Sequence, residues 1–255
     1  MSGLLDGKAA VITGAGSGVG RAMANLFAEN GAAVLVADVV AERVDEVVNE
    51  VRGKTGAQIE GMAIDLSLKE SADKMIDYAA KTFGKVDILC NNAGIMDGVR
   101  PVADTPDDVW EKVLDINLNA PFRASRRAIP LMLKGGGGVI VNTASIAGLT
   151  GGAAGASYTV SKHGLIGLTR SVAAHYGTKG IRCNAMVLGA VKTNIGVGGG
   201  NPDPKGMEVL QKAMATLPRL GEPGEIAELA LFLASDKSSL LNGSCVVVDG
   251  GWTVV

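Results

Sequence analysis

Two histidines and three cysteines in 255 residues leave little material for metal or disulfide chemistry. Cys90, Cys183 and Cys245 each fall in or beside an apolar run, with no C-x-x-C or zinc-like spacing, which fits small buried hydrophobes. His163 directly follows Lys162 and so points about 100° away on a helix. His175 lies near the end of the same helical stretch, where a charged imidazole would favour the C-terminal dipole. With no cluster of His, Cys and carboxylates, no catalytic metal is expected.

Charge of either sign is not in excess. Against 24 Lys and Arg stand 26 Asp and Glu, a net charge of −2, which gives no electrostatic reason to expect nucleic acid or a membrane as partner. No window holds eighteen consecutive apolar residues, which excludes a transmembrane helix on length. The opening MSGLLDGK runs straight into AAVIT without a basic region, a long apolar stretch and a cleavage site, so a cytoplasmic protein is expected. No internal repeat and no Pro/Ser-rich linker divides the chain, and one domain is expected over 1–255.

Glycine is what the chain has in plenty. The 36 glycines gather at 14–20, 135–138, 151–155 and 196–200, as at turns that bend tightly or approach a ligand. Short runs of Val, Ile and Leu predict strands near 9–13, 33–37, 58–63, 87–90, 138–142, 181–186 and 245–248. Helical spacing covers 18–30, 41–54, 68–83, 107–133, 156–177 and 224–234. That alternation predicts an α/β chain: a doubly wound Rossmann fold, its seven-stranded parallel sheet covered by helices on both faces. The segment 194–206, NIGVGGGNPDPKG, has no periodicity, and a mobile substrate loop is expected over 194–214.

The turn after the first strand reads Thr13-Gly14-Ala15-Gly16-Ser17-Gly18-Val19-Gly20, a T-G-x-x-x-G-x-G pattern rather than G-x-G-x-x-G. Gly14 permits the tight turn, Gly18 lets backbone approach a pyrophosphate, and Gly20 lets the helix pack on the strand, with Ser17 and Val19 in the same cradle. A glycine-rich turn can also be a plain strand-to-helix connection, so Asp38 matters. It ends the second predicted strand, at the spacing from Gly18 where an acidic side chain reaches the adenosine ribose hydroxyls. A carboxylate there accepts those hydroxyls and repels a 2′-phosphate, which favours NAD(H) over NADP(H). Asp65 and Leu66, after the third strand, are placed to meet the adenine or to form an ordinary surface turn.

Tyr158 and Lys162 stand at i and i+4, on one face of a predicted helix. A free phenol titrates near 10, too high for a base at neutrality, and a neighbouring ammonium is expected to lower it. Tyr158 then serves as general acid/base, with Ser145 holding the substrate oxygen by a hydrogen bond.

With T-G-x-x-x-G-x-G, Asn91-Asn92-Ala93-Gly94, Asn117, Ser145 and Tyr158-x-x-x-Lys162 in this order, the chain resembles the short-chain dehydrogenase/reductase family. The stretch PRLGEPGEIAELALFLASD and the ending VVVDGG look like its bacterial members. The resemblance makes Tyr158 the acid/base, Ser145 the substrate anchor and Lys162 a ligand of the nicotinamide ribose that also lowers the tyrosine. It implies that Asn117 helps hold a proton-relaying water, and that Asn92, Ala93 and Gly94 line the cofactor site with Asn92 near the ribose. Val191 and Thr193 match the positions that meet the nicotinamide carboxamide, although Leu188-Gly189 stands where many relatives have Pro-Gly. A homotetramer is implied too, with contacts through the 107–133 and 156–177 helices and the C-terminal segment.

The reading is an NAD(H)-dependent oxidoreductase interconverting a secondary alcohol and a ketone. The pocket is expected among Met96, Asp97, Ile146, Ala147, the small residues 151–156, Gly189-Ala190 and the 194–214 loop. A 3-oxoacyl-thioester reductase of fatty-acid type is the alternative within the class, opposed by Asp38 because such enzymes generally prefer NADPH. A dinucleotide-sensing protein without turnover, or a methyltransferase, has no use for the Tyr-Lys pair.

Overall fold

The structure is a computed structural model describing residues 3–195 and 201–254. Seven strands form one parallel sheet: β1 (Ala9–Thr13), β2 (Ala33–Asp38), β3 (Ile59–Ala63), β4 (Ile88–Asn91), β5 (Gly138–Ser145), β6 (Ile181–Leu188) and β7 (Cys245–Val248). Their order is β3-β2-β1-β4-β5-β6-β7. Every residue of β1 and β4 is buried, as expected of strands covered on both faces.

Helices α1 (Gly18–Glu29), α2 (Ala41–Thr55), α3 (Ser71–Phe83), α4 (Asp107–Leu114), α5 (Ala120–Lys134), α6 (Ala156–Tyr176), α7 (Pro204–Met214) and α8 (Pro223–Ala234) complete the chain. On one face Met23, Phe27, Val47, Val51, Ile226 and Leu233 of α1, α2 and α8 pack on the sheet. On the other, Met75, Ile76, Ala128, Met132 and Val172 of α3, α5 and α6 form a second apolar layer. Because all strands run the same way, Thr13, Asp38, Asn91, Ser145 and Leu188 end along one edge of the sheet. The order reverses between β1 and β4, where doubly wound sheets open a crevice for ligands.

Two elements differ from the sequence expectation. The helix expected over 107–133 is broken by a π turn at Asp115–Asn119. Pro121 is the physical reason: it has no N–H to close the helical bond to the Asn117 carbonyl, and its ring crowds that carbonyl. The loop expected through 214 gives way to α7, because Asp203 caps the N-terminus, accepting from Lys205 N and Gly206 N, and Pro204 occupies the first helical position. Residues 196–200 of that expected loop lie outside the described residues.

No helix among the described residues is long and apolar enough to cross a membrane. Nor does any group of three His, Cys, Asp or Glu among them stand ready to hold a metal ion.

Candidate active site

The glycine turn between β1 and α1 is built to approach a ligand. Gly14 and Gly18 have φ of 63° and 52°, a conformation that side-chain-bearing residues resist. A β-carbon on Gly20 would collide with the Gly14 carbonyl, so the first turn of α1 packs on β1 as a larger residue could not. The N–H groups at this helix start and the absence of side chains fit a dinucleotide pyrophosphate. Thr193 lies over the turn, its Cγ2 3.1 Å from where a Gly18 β-carbon would be. Val191, two residues earlier, is fixed by a parallel bridge to Gly221.

Asp38 faces the same turn. Its Oδ2 accepts from Gly16 N at 3.0 Å and its Oδ1 from Val40 N at 3.1 Å, so the carboxylate is held at the end of β2 by backbone on both sides. Asp65 turns back on its own loop, its Oδ1 accepting from Ser67 N at 2.9 Å, while Leu66 is buried in the core layer with Met75 and Ala93. For Asp65 this is the surface-turn arrangement.

Asn92, expected near a ribose, has its side chain engaged by protein. Its amide donates to the Thr13 and Gly14 carbonyls at 3.0 and 3.3 Å, and its oxygen accepts from Thr143 Oγ1 at 3.3 Å. Asn92 N and Ala93 N both donate to Thr13 Oγ1, at 2.9 and 3.0 Å. These bonds tie β1, β4 and β5 together beneath the glycine turn. Gly94 follows, close enough that a β-carbon would stand 3.4 Å from Asn117 Oδ1 and 3.5 Å from Lys162 Nζ.

Ser145 ends β5, and its Oγ accepts from Ala147 N at 3.2 Å as the chain turns toward α6. Tyr158, the third residue of α6, is buried, with the Ser145 side chain beside its phenol. One turn along, Lys162 is 2% exposed, its Nζ 5.3 Å from the Tyr158 ring centroid and donating to the Thr143 carbonyl at 2.8 Å. Asn117 is fully buried in the π turn. Its Oδ1 accepts from Ile95 N at 2.9 Å, and its Nδ2 donates to the Ile95 carbonyl at 2.9 Å and to Ser161 Oγ at 3.2 Å. All four expected catalytic residues therefore meet at the C-terminal edge of β4 and β5.

Their electrostatics differ from the sequence expectation in one respect. Burial pushes the Tyr158 phenol up to about 12, opposed by the neighbouring Ser145 hydroxyl and reinforced by the Asp97 charge. Burial outweighs the nearby ammonium. Burial likewise pulls Lys162 down to about 8, because a charged Nζ is costly in an apolar surrounding. The competing effect that won is desolvation of both members of the pair.

Asp97 also departs from expectation. Instead of lining an open pocket it is fully buried, accepting from Val99 N, Ser157 Oγ and Tyr158 N. Sequence reasoning missed Thr143, whose carbonyl holds Lys162 and whose hydroxyl holds Asn92. Its position two residues before Ser145 on the same strand is the one clue, and backbone carbonyls leave no signature in residue type.

Residues 14–253 match a family model described as enoyl-(acyl carrier protein) reductase. The 3beta-hydroxysteroid dehydrogenase 2 of Eggerthella lenta is 43% identical over 251 residues, covering 98% of this chain and 96% of that protein. The chain is a short-chain dehydrogenase/reductase. This oxidoreductase is also 39% identical over 256 residues to the cyclohexanol dehydrogenase of an Acinetobacter species, covering 99% and 98% of the two chains. Levodione reductase has a crystal structure that superposes on it with a TM-score of 0.88 at 33% identity, covering 98% of this chain and 99% of that one. Relatives of these names support an alcohol/ketone oxidoreductase, and the family is typically NAD(P)-dependent.

Proposed function

We propose that the protein is an NAD(H)-dependent dehydrogenase that interconverts a secondary alcohol, cyclic in its preferred substrates, and the ketone, with Tyr158 as general acid/base. The observation that carries the reading is the convergence of Ser145, the buried Tyr158 and a buried Lys162 at the sheet edge that also bears the glycine turn. The names of the relatives, a hydroxysteroid and a cyclohexanol dehydrogenase, support the cyclic class.

The glycine turn, Asp38, Lys162, Val191 and Thr193 would hold the dinucleotide. A bound nicotinamide supplies the hydride donor or acceptor and, when oxidised, a positive ring beside the site. The protein's own part is proton management. Ser145 Oγ and Tyr158 Oη grip the substrate oxygen from two sides and fix its carbon for transfer. In reduction Tyr158 gives its proton to that oxygen as charge develops there. A phenol near 12 is fully protonated at neutral pH and ready for this direction. In oxidation Tyr158 must lose a proton first, which burial of the phenol opposes. Lys162, near 8, can carry a proton on or off Nζ close to neutrality. Asn117 bonds the Ile95 backbone and Ser161 through its side chain, so a relay water would use its main-chain carbonyl, which Pro121 cannot engage.

Asp38 supports NAD(H) over NADP(H) by charge. Exposed apolar side chains on α4, α5 and α6, Trp110, Phe122 and Val160, support the homotetramer the family implies, and we place it in the cytoplasm. Initial rates at the reduced-nicotinamide absorbance, with cyclic, steroid, sugar and hydroxyacyl alcohols and both cofactors, test the whole reading. Turnover of cyclic alcohols with NAD is the expected result. Silence across the panel despite NADH binding would favour a sensing protein, and turnover only of 3-hydroxyacyl thioesters would favour the fatty-acid-type reductase.

A further inference from the structure

Helix α6 begins with a residue that cannot cap it. Gly155 stands at the N-cap and has no side chain, so the first N–H groups of α6 need an acceptor from elsewhere. Asp97, on the loop after β4, supplies it: Oδ2 accepts from Tyr158 N at 3.0 Å and from Ser157 Oγ at 3.1 Å. The fit is close, because a β-carbon on Gly155 would lie 2.5 Å from both carboxylate oxygens. The backbone of the proposed acid/base is thus anchored by a fully buried carboxylate.

The other oxygen of that carboxylate holds a strained turn. Oδ1 accepts from Val99 N at 3.0 Å, and Val99 has a φ of 57°, the one positive value of a non-glycine residue among the described residues. A β-branched side chain resists this conformation, so it persists only where surrounding bonds impose it.

Helix α7 sits on this turn. Asp203 N donates to the Gly98 carbonyl at 2.8 Å, and Gly206 lies so near the Val99 carbonyl that a β-carbon there would overlap it. At its far end α7 is held by Trp252 Nε1, which donates to the Ala213 carbonyl at 2.7 Å. Between these ends Val209 faces Gly152, a few residues beyond Ser145. The helix therefore covers the chain that leads from Ser145 to Tyr158.

We propose that Asp97 is a positioning residue whose two carboxylate oxygens join the seat of α7 to the backbone of Tyr158, so that docking of α7 and alignment of the acid/base are a single event. The inference rests on the reading of Tyr158 as acid/base. Its consequence is that a change confined to the α7 seat should alter chemistry as well as substrate binding.

Two variants separate this from a purely structural role. Asp97→Asn keeps the volume, but its amide nitrogen cannot accept, so one of the two sides loses its partner. Gly206→Ala leaves Asp97 and Tyr158 untouched and lifts α7 off the Val99 carbonyl. In each, kcat for the best cyclic alcohol is expected to fall about tenfold or more while its KM rises, since displacements of about 1 Å at a reacting group cost up to about a hundredfold. NADH affinity, read by fluorescence titration, is expected to stay within about twofold, because the glycine turn and Asp38 lie elsewhere. Adding Val99→Gly to Asp97→Asn removes the backbone strain and should recover part of the KM.

A Gly206→Ala enzyme with raised KM and unchanged kcat would overturn the coupling, as would Asp97→Asn kinetics indistinguishable from wild type. Should Asp97→Asn fail to fold, Gly206→Ala alone decides. Tyr158→Phe is the control for the underlying reading. If it retains turnover, the reading of Tyr158 fails. If it is inactive while Asp97→Asn and Gly206→Ala are normal, only the coupling fails.

Discussion

Replacing Asp38 by asparagine should weaken the proposed preference for NAD over NADP, and the geometry of the carboxylate sets the expected size. The carboxylate is pinned at the end of β2 by Gly16 N and Val40 N, 3.0 and 3.1 Å away, so it cannot swing aside when a 2′-phosphate approaches. Two unit charges about 4 Å apart repel by about 4 kcal/mol at an effective dielectric of 20, which is about a thousandfold in relative affinity. The asparagine side chain is isosteric and uncharged, so the repulsion vanishes, but an amide can accept from only one of the two backbone donors. The loss of one such bond costs about 1 kcal/mol of stability, which leaves the fold intact. The assay is kcat/KM for one alcohol with NAD and with NADP, in wild type and Asp38→Asn. The wild-type ratio should favour NAD by about a thousandfold and the variant ratio should fall by about two to three orders of magnitude. A ratio unmoved by the substitution would refute the electrostatic account of β2, whatever the absolute preference.

Three further outcomes follow from the catalytic cluster. Tyr158→Phe should bind NADH as wild type does and lose about 10²–10⁴-fold in kcat, read by steady-state rates beside fluorescence titration. Lys162, held near 8 by burial against an ordinary value of 10.5, is uncharged in the folded chain but still protonated in the unfolded one between those two pH values, so its contribution to stability rises with pH through that window. The buried Cys90, Cys183 and Tyr158 are raised to about 12 and act in the opposite sense at higher pH. The difference in urea unfolding between wild type and Lys162→Met at about pH 7.5 and 9.5 therefore isolates the lysine, and the variant should gain stability relative to wild type at the lower pH. Pro121→Ala restores an N–H able to bond the Asn117 carbonyl, and should lower kcat severalfold with a normal Tm, measured by steady-state rates and thermal unfolding.

What could be read from the sequence was what is local. Gly14, Gly18 and Gly20 announce their turn because no other residue type fits it. Tyr158 and Lys162 share a face because helices repeat about every 3.6 residues, and every strand but β3, whose Ile-Glu-Gly-Met-Ala is only partly apolar, was visible as a short apolar run. The π turn at Asn117 was signalled in principle by Pro121, but the apolar period continues on both sides and hides the break. Helix α7 carried its own start signal, Asp203 followed by Pro204, beneath a glycine-rich surrounding that reads as loop. Asp97 was not legible in its true role. An aspartate directly after an apolar Ile-Met pair looks like a pocket or surface residue, and its partners on α6 lie 60 and 61 positions away. Contacts of that range are decided by packing, which leaves no spacing pattern.

The titration behaviour of the pair follows the same division and bears on reaction direction. Sequence spacing places an ammonium beside a phenol and suggests attraction between charged forms. The fold buries both, and desolvation opposes charge on either, so the phenol is held near 12 and the lysine near 8. Such a site is prepared to give a proton and unprepared to take one. Oxidation requires Tyr158 to ionise, and a bound oxidised nicotinamide would supply positive charge that favours this, so the proposed order is cofactor before deprotonation. Reduction needs no such step. The acid limb of the kcat/KM profile for alcohol oxidation should consequently appear well below 12 at saturating NAD, whereas ketone reduction should stay flat through neutral pH. An oxidation limb left near 12 with NAD bound would show that charge at the nicotinamide does not reach the phenol, and would remove the phenolate from the oxidation reaction.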